Sequence, residues 1–197
     1  MTRPDFIETL AAACLRQGDA SSDYDLNAGI VLPADRSLRP AAVLIGVTTA
    51  GDVILTKRSS QLRHHPGQIS FPGGAQDMTD PTPQAAALRE ASEEIGLPSA
   101  VVTVLGQLPP HETVTGFSVT PVIGWVHADF AEIAEAGEVA EVFRVPLSHV
   151  LNPDRYVIEQ RLWRGAPRKF FAVPYGPYYI WGATARILRG LAERVGG

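Results

Sequence analysis

Apolar and polar positions in this chain follow first one period and then another, and the changes of period mark out its elements. From about Pro4 to Gln17, Phe6, Ile7, Leu10 and Cys14 recur at helical spacing, which predicts an N-terminal helix. A polar stretch, Gly18 to Asn27, follows it. Ala41 to Thr49 is an apolar, β-branched run, and after Ala50-Gly51-Asp52 a second run covers Val53 to Arg58; together they predict a hairpin. Further strands are expected at Gln68 to Phe71, Val101 to Leu105, Val119 to His127 and Val142 to Val145. Thr82-Pro83 has the form of an N-cap followed by proline, and Gly96 that of a C-terminal stop, so a helix is expected between them. A last helix is expected from about Tyr179 to Val195, with Ile180, Thr184, Ile187, Leu188 and Leu191 on one face. Strands mixed with helices at both ends predict an α/β fold layered α/β/α.

Composition narrows the function more than the fold. With 197 residues, 45% of them apolar, the chain can bury a core without disulfides or a structural metal. No apolar run reaches membrane-spanning length, and Met1-Thr2-Arg3-Pro4-Asp5 lacks the layout of a secretory signal, so a cytoplasmic protein is expected. Cys14 is the only cysteine and is expected to serve as a small buried hydrophobe. A net charge of -4 argues against broad nucleic-acid binding. The charge is uneven, however. Lys57, Arg58, Arg63, His64 and His65 gather just before a Gly-rich turn, and carboxylates gather after it. That juxtaposition suits a phosphate-bearing small molecule handled with a metal, and neither nucleic acid nor membrane is expected as a partner.

At about 100° per residue, Leu88, Ala91 and Ile95 share a side of the helix after Pro83, and Glu90, Glu93 and Glu94 share an arc on the other. Like charges at these spacings cost roughly 0.2–0.5 kcal/mol per pair. A hard cation turns that repulsion into attraction, because it prefers oxygen ligands. An isolated Glu-x-x-Glu-Glu would be a solvated acidic face. The preceding Phe71-Pro72-Gly73-Gly74 changes the balance: paired glycines let the backbone approach a ligand closely, and a bare carbonyl there could give a metal another oxygen.

These segments resemble the Nudix hydrolase signature: Gly74, Asp80, Arg89-Glu90, Glu93-Glu94, Gly96 and Leu97 stand in its order. The chain departs from it in having Asp80 for a Glu, eight residues rather than seven before Arg89, and Ala91 for a larger aliphatic residue. The first two departures are similar to the coenzyme A diphosphatase subgroup. So are Leu55-Thr56-Lys57-Arg58-Ser59, Arg63, Gly67, Leu108-Pro109-Pro110, Thr115-Gly116-Phe117, Val119-Thr120-Pro121-Val122 and Trp181-Gly182-Ala183-Thr184-Ala185. The likeness covers roughly residues 41–191.

The resemblance implies a Nudix-like α/β/α sandwich with a mixed sheet and a loop-helix-loop metal motif, over residues 28–197, after an N-terminal helix and polar linker at 1–27. It implies Mg²⁺ or Mn²⁺ on Glu90 and Glu94 with Glu93 beside them, and Arg89 orienting the carboxylates. Lys57, Arg58 and Arg63 become candidate phosphate contacts, with Gly73 and Gly74 lining the substrate site, although each cation alone could be a solvated charge. Glu138 or Glu93 would be the general base, and Glu138 could equally be an extra ligand or a surface carboxylate. The implied reaction splits coenzyme A or its thioesters into a 4'-phosphopantetheine and adenosine 3',5'-bisphosphate. The alternatives are another nucleoside diphosphate derivative, such as ADP-ribose or a dinucleotide cofactor, or a non-catalytic nucleotide sensor. A homodimer is compatible with the sequence, which leaves the N-terminal helix free to cap the site or serve an interface.

Overall fold

The longest apolar run becomes the spine of a mixed sheet. The computed structural model describes residues 3–27, 29–30, 32–33, 35–63, 65–163 and 165–196, without side-chain placement for Arg3, Pro4, Asp5 and Trp163. In chain order the elements are α1 (Arg3–Leu15), β1 (Ser21–Ser22), β2 (Arg39–Thr48), β3 (Asp52–Arg58), β4 (Ile69–Ser70), β5 (Gly73–Ala75), α2 (Pro83–Ile95), β6 (Val102–Gln107), β7 (His111–Glu112), β8 (Phe117–Val126), β9 (Val139–Pro146), α3 (Leu147–Val150), β10 (Val157–Trp163), β11 (Ala166–Ala172) and α4 (Ala183–Gly196). β2 runs parallel to β8 along its whole length, from Arg39↔Phe117 to Thr48↔Val126. β9 lies antiparallel to β3, β6 and β7 antiparallel to β8, and β1 parallel to β7.

The expected hairpin pairs only at its base. β2 and β3 meet at Val47↔Val53 and then diverge. β4 fills the opening on the β3 side, at Thr56↔Ser70, and β5 fills it on the β2 side, at Val43↔Gly73. Residues 69–75 are thereby wedged into the middle of the sheet. Thr184, buried at the start of α4, donates from its hydroxyl to the Ile69 carbonyl at 3.0 Å and pins the wedge from below.

Strand alternation sorts the core into two layers. Ile45, Val47, Val53, Leu55 and Ile123 face α1 and α4, where Phe6, Leu10, Ala13, Ile187, Leu188 and Leu191 meet them. Leu44, Ile54, Val122 and Val126 face α2, which brings Ala86, Ala87, Ala91 and Ile95. The sandwich is therefore α/β/α around a mixed sheet. α1 shares the larger core with the rest of the chain; the boundary expected at residue 28 falls on a position outside the described residues.

Several details differ from expectation. Cys14 is half-buried rather than buried, lying against Gly106, where a Cβ would stand 2.6 Å from its own. α4 begins at Ala183, not Tyr179, because Gly182 takes φ 65 and breaks the helical path. The β10–β11 hairpin was not expected, since Val157 to Trp163 mixes charged and apolar residues and is exposed along most of its length. Among the described residues no helix is long and apolar enough to cross a membrane.

Candidate active site

α2 starts and stops where its sequence dictates. The Thr82 hydroxyl accepts the Ala85 N–H at 3.1 Å, Pro83 opens the first turn, and Gly96 closes the last at φ 70 with its N–H on the Ala91 and Ser92 carbonyls. Three fully buried alanines, Ala86, Ala87 and Ala91, let the helix settle close to β2 and β5. Its buried stripe runs through Ala87, Ala91, Glu94 and Ile95, at spacings of four, seven and eight.

Glu94 therefore does not lie on the face opposite the core, as helical periodicity alone placed it. It is only 5% exposed, and its Oε2 accepts the Gly73 N–H at 3.1 Å. The cause is across the interface: a wedge ending in two glycines offers no side chains, so a carboxylate fits where an apolar residue would otherwise pack. Leu88, expected on the core side, is only partly buried.

Gly73 is sterically required, and Gly74 lies against a side chain. A Cβ on Gly73 would stand 2.4 Å from the Ala42 carbonyl oxygen, and its φ of 153 is unfavourable for other residues. A Cβ on Gly74 would stand 2.5 Å from the carboxylate of Glu90. The turn thus carries Glu94 on one peptide and Glu90 against the next.

Arg89 ties the remaining carboxylates together. It grips Asp80 with two nitrogens, Nε to Oδ1 at 3.1 Å and Nη2 to Oδ2 at 2.8 Å, and Nη2 also donates to the Ala75 carbonyl at 3.2 Å. Nη1 donates to Glu90 Oε1 and Glu93 Oε2, both at 3.0 Å. Asp80, whose part the signature left open, anchors this arginine with a nearly buried side chain. An acidic residue upstream of Arg89 was the available signal. Glu93 is 60% exposed and meets the cluster through Arg89.

The electrostatics match this packing. Burial pushes Glu94 up to about 7, opposed by the Gly73 hydrogen bond and by Arg58, and assisted by Glu90 and Glu138. Burial raises Glu90 as well, against the pull of Arg89, with Glu93 and Glu138 adding to the rise. Arg89 instead holds Asp80 below the usual carboxylate range.

The basic segment reaches this cluster in part. Arg58 sides with Ile54 and Thr56 toward α2, and its Nε is buried with no hydrogen-bond partner among the described residues. Lys57, one residue earlier, takes the opposite face with Leu55 and is exposed. The loop after β3 is closed by Arg58 N–H on the Gln68 carbonyl and Gly67 N–H on the Arg58 carbonyl, and it carries Arg63 and His65 exposed. His64 lies outside the described residues. The Ser59 N–H donates to the Glu138 carbonyl at 2.7 Å, which fixes the loop bearing Glu138 beside Arg58. A cleft of about 570 Å³ opens elsewhere, between the end of α1 and α4, and includes none of these side chains.

Among the described residues no three His, Cys, Asp or Glu side chains converge tightly enough to enclose an ion unaided. A buried and a half-buried carboxylate with raised pKa, Glu94 and Glu90, set against bare glycine backbone, nevertheless fit a hard divalent cation. Such a cation uses one or two protein carboxylates and completes its shell with water and substrate phosphate.

Residues 37–163 match the model of the NUDIX domain. The chain belongs to the Nudix family. A relative called uncharacterized Nudix hydrolase NudL, from Enterobacter sp. (strain 638), is 47% identical over 160 residues, 80% of this chain and 83% of the relative. Its namesake in Escherichia coli (strain K12 / DH10B) is 44% identical over the same share. Among solved structures, the MutT protein of Methanosarcina mazei Go1 aligns with a TM-score of 0.49 at 21% identity, over 60% of this chain and 84% of that one. The chain is thus a Nudix hydrolase, and Nudix hydrolases generally use divalent metal ions.

Proposed function

We propose that this Nudix hydrolase cleaves the diphosphate of coenzyme A or its thioesters, with Mg²⁺ or Mn²⁺ held by Glu90 and Glu94. The observation that carries the choice is Arg58. Its guanidinium Nε, buried with no partner among the described residues and within the electrostatic reach of Glu94, is a cost in the free protein that a phosphate oxygen would relieve. Arg63, on the adjoining loop, adds a cation for the 3'-phosphate, a group that ADP-ribose lacks. The cation, when bound, offsets charge on the phosphoryl oxygens and acidifies water.

The chain's own residues do the rest. Arg89, locked by Asp80, keeps Glu90 and Glu93 in place. Glu138 takes the proton of the attacking water. Its carboxylate lies in the field of Glu90 and Glu94 yet has no hydrogen-bond or ion-pair partner among the described residues, whereas that of Glu93 is engaged by Arg89. Oxygen from water joins one phosphorus as its bond to the bridging oxygen breaks, which gives 4'-phosphopantetheine and adenosine 3',5'-bisphosphate.

The test is the ratio of kcat/KM on coenzyme A, dephospho-coenzyme A and ADP-ribose at one metal concentration. A lost hydrogen bond to a charged group is worth about 1.5–3 kcal/mol, or roughly ten- to a hundredfold. Coenzyme A should lead dephospho-coenzyme A by that factor, with ADP-ribose poorer still. Equal use of the first two removes the 3'-phosphate contact, and a preference for ADP-ribose overturns the coenzyme A assignment.

A further inference from the structure

The β10–β11 hairpin has one covered edge and one open edge. Pro167 has no N–H to give, and it stands opposite Leu162, so that pair is not hydrogen-bonded. The same parity shows two pairs along. Lys169, opposite Gln160, turns its N–H and carbonyl outward to the Asn27 side-chain amide, at 2.9 and 3.0 Å. Asn27 thus covers the β11 edge. On β10 it follows that Ile158, Gln160 and Leu162 direct their N–H and C=O groups away from β11. Among the described residues no strand pairs with that edge. Ile158 and Leu162 are 57% and 78% exposed.

An open edge strand with exposed isoleucine and leucine invites another strand, and natural proteins usually blunt such an edge. Here the sequence specifies the partner. Ile158-Glu159-Gln160-Arg161-Leu162 is its own complement when read backwards. We propose that two copies of this chain pair antiparallel along β10, across a twofold axis through Gln160. Gln160 then faces Gln160 of the partner subunit, Ile158 faces Leu162 of the partner subunit, and Glu159 faces Arg161 of the partner subunit. The outward-turned residues form the hydrogen-bonded pairs, each exchanging two backbone bonds. Apolar meets apolar on one side of the ribbon, and opposite charges meet twice on the other. The charged side chains are already held in place. The Tyr179 hydroxyl donates to Glu159, and Arg161 lies 5.0–5.6 Å from the ring centres of Phe170, Tyr179 and Trp181. Because the contact uses the same patch on both copies, it closes at two subunits and leaves no growing edge. The pairing does not depend on which diphosphate the active site takes.

Sedimentation of the full chain tests it. The wild type should be a dimer, and Gln160→Pro, which removes an outward N–H, should raise the dimer Kd at least tenfold with unchanged turnover. Glu159→Arg and Arg161→Glu should each be monomeric, because each sets like charges across the axis, and an equimolar mixture of the two should recover the dimer. Since either change could disturb the hairpin, a gentler variant stands beside them. Paired Cα atoms at such a position lie about 5.5 Å apart, within reach of a short bis-maleimide. In a Cys14→Ala background, Gln160→Cys should therefore be cross-linked by that reagent, and Lys169→Cys on the covered edge should not. A monomeric wild type, a dimer indifferent to Gln160→Pro, or a Gln160→Cys chain that stays unlinked would overturn the proposal.

Discussion

The two faces of the sheet are built from different materials. Under α1 and α4 lie buried leucine, isoleucine and phenylalanine side chains. Under α2 the helix contributes mostly alanines, the wedge contributes glycines, and a carboxylate occupies the gap. The first face holds the protein together. The second gives up packing to bring charged oxygens onto bare backbone, which is where the proposed function puts the cation and the phosphate. Ala91, a departure from the Nudix signature, belongs to this arrangement, since a larger residue there would lift α2 away from β2.

The difference can be broken from either side. Glu94→Gln keeps the shape and removes the charge, so the variant should fold normally while kcat falls by orders of magnitude; steady-state kinetics and circular dichroism together check this. Near-full turnover would remove Glu94 from the metal set. Leu188→Ala, on the opposite face, should lower stability by about 2–5 kcal/mol, read by denaturant titration, and leave KM for the diphosphate unchanged. A shift in KM there would mean the two faces are mechanically coupled. The basic strand offers a finer contrast. Arg58→Ala should raise KM for coenzyme A roughly tenfold or more, and Arg63→Ala should raise KM more than it lowers kcat. Lys57→Ala, on the other side of the same strand, should change KM little. Equal losses at 57 and 58 would contradict the strand alternation on which the contrast rests.

Much of this was legible in the sequence, for local reasons. Thr82-Pro83 and Gly96 delimit α2 through hydrogen bonds within a few residues of themselves, so the helix could be read directly. Leu108-Pro109-Pro110 and Trp181-Gly182-Ala183-Thr184 carried the family likeness, although their use is structural: buried Thr184 holds the wedge. What stayed hidden depends on distant partners. Helical periodicity put Glu94 outside because it cannot register that the facing strand ends in glycines. The short pairing of β2 with β3 depends on residues 69–75 entering between them, which neither run announces. Lys57 and Arg58 look like one patch in sequence and lie on two faces in the sheet. Asp80 was visible as a departure from the signature, and only the fold shows it gripping Arg89.

If a divalent cation, as proposed, offsets the charge that α2 carries on Glu90 and Glu94, thermal unfolding with and without Mn²⁺ across pH reads that offset most directly. Glu94 is pushed up to about 7, above its unfolded value, so it favours the metal-free fold fully below about pH 4.5 and loses that contribution as pH rises through 7. At 1.36 kcal/mol per pKa unit the loss is on the order of 3 kcal/mol. Mn²⁺ should restore it, raising Tm by several degrees at pH 8 and little at pH 5.5. Glu94→Gln should flatten the pH profile and abolish the Mn²⁺ effect. A Glu94→Gln protein with the same Mn²⁺ shift at pH 8 as the wild type would contradict the account.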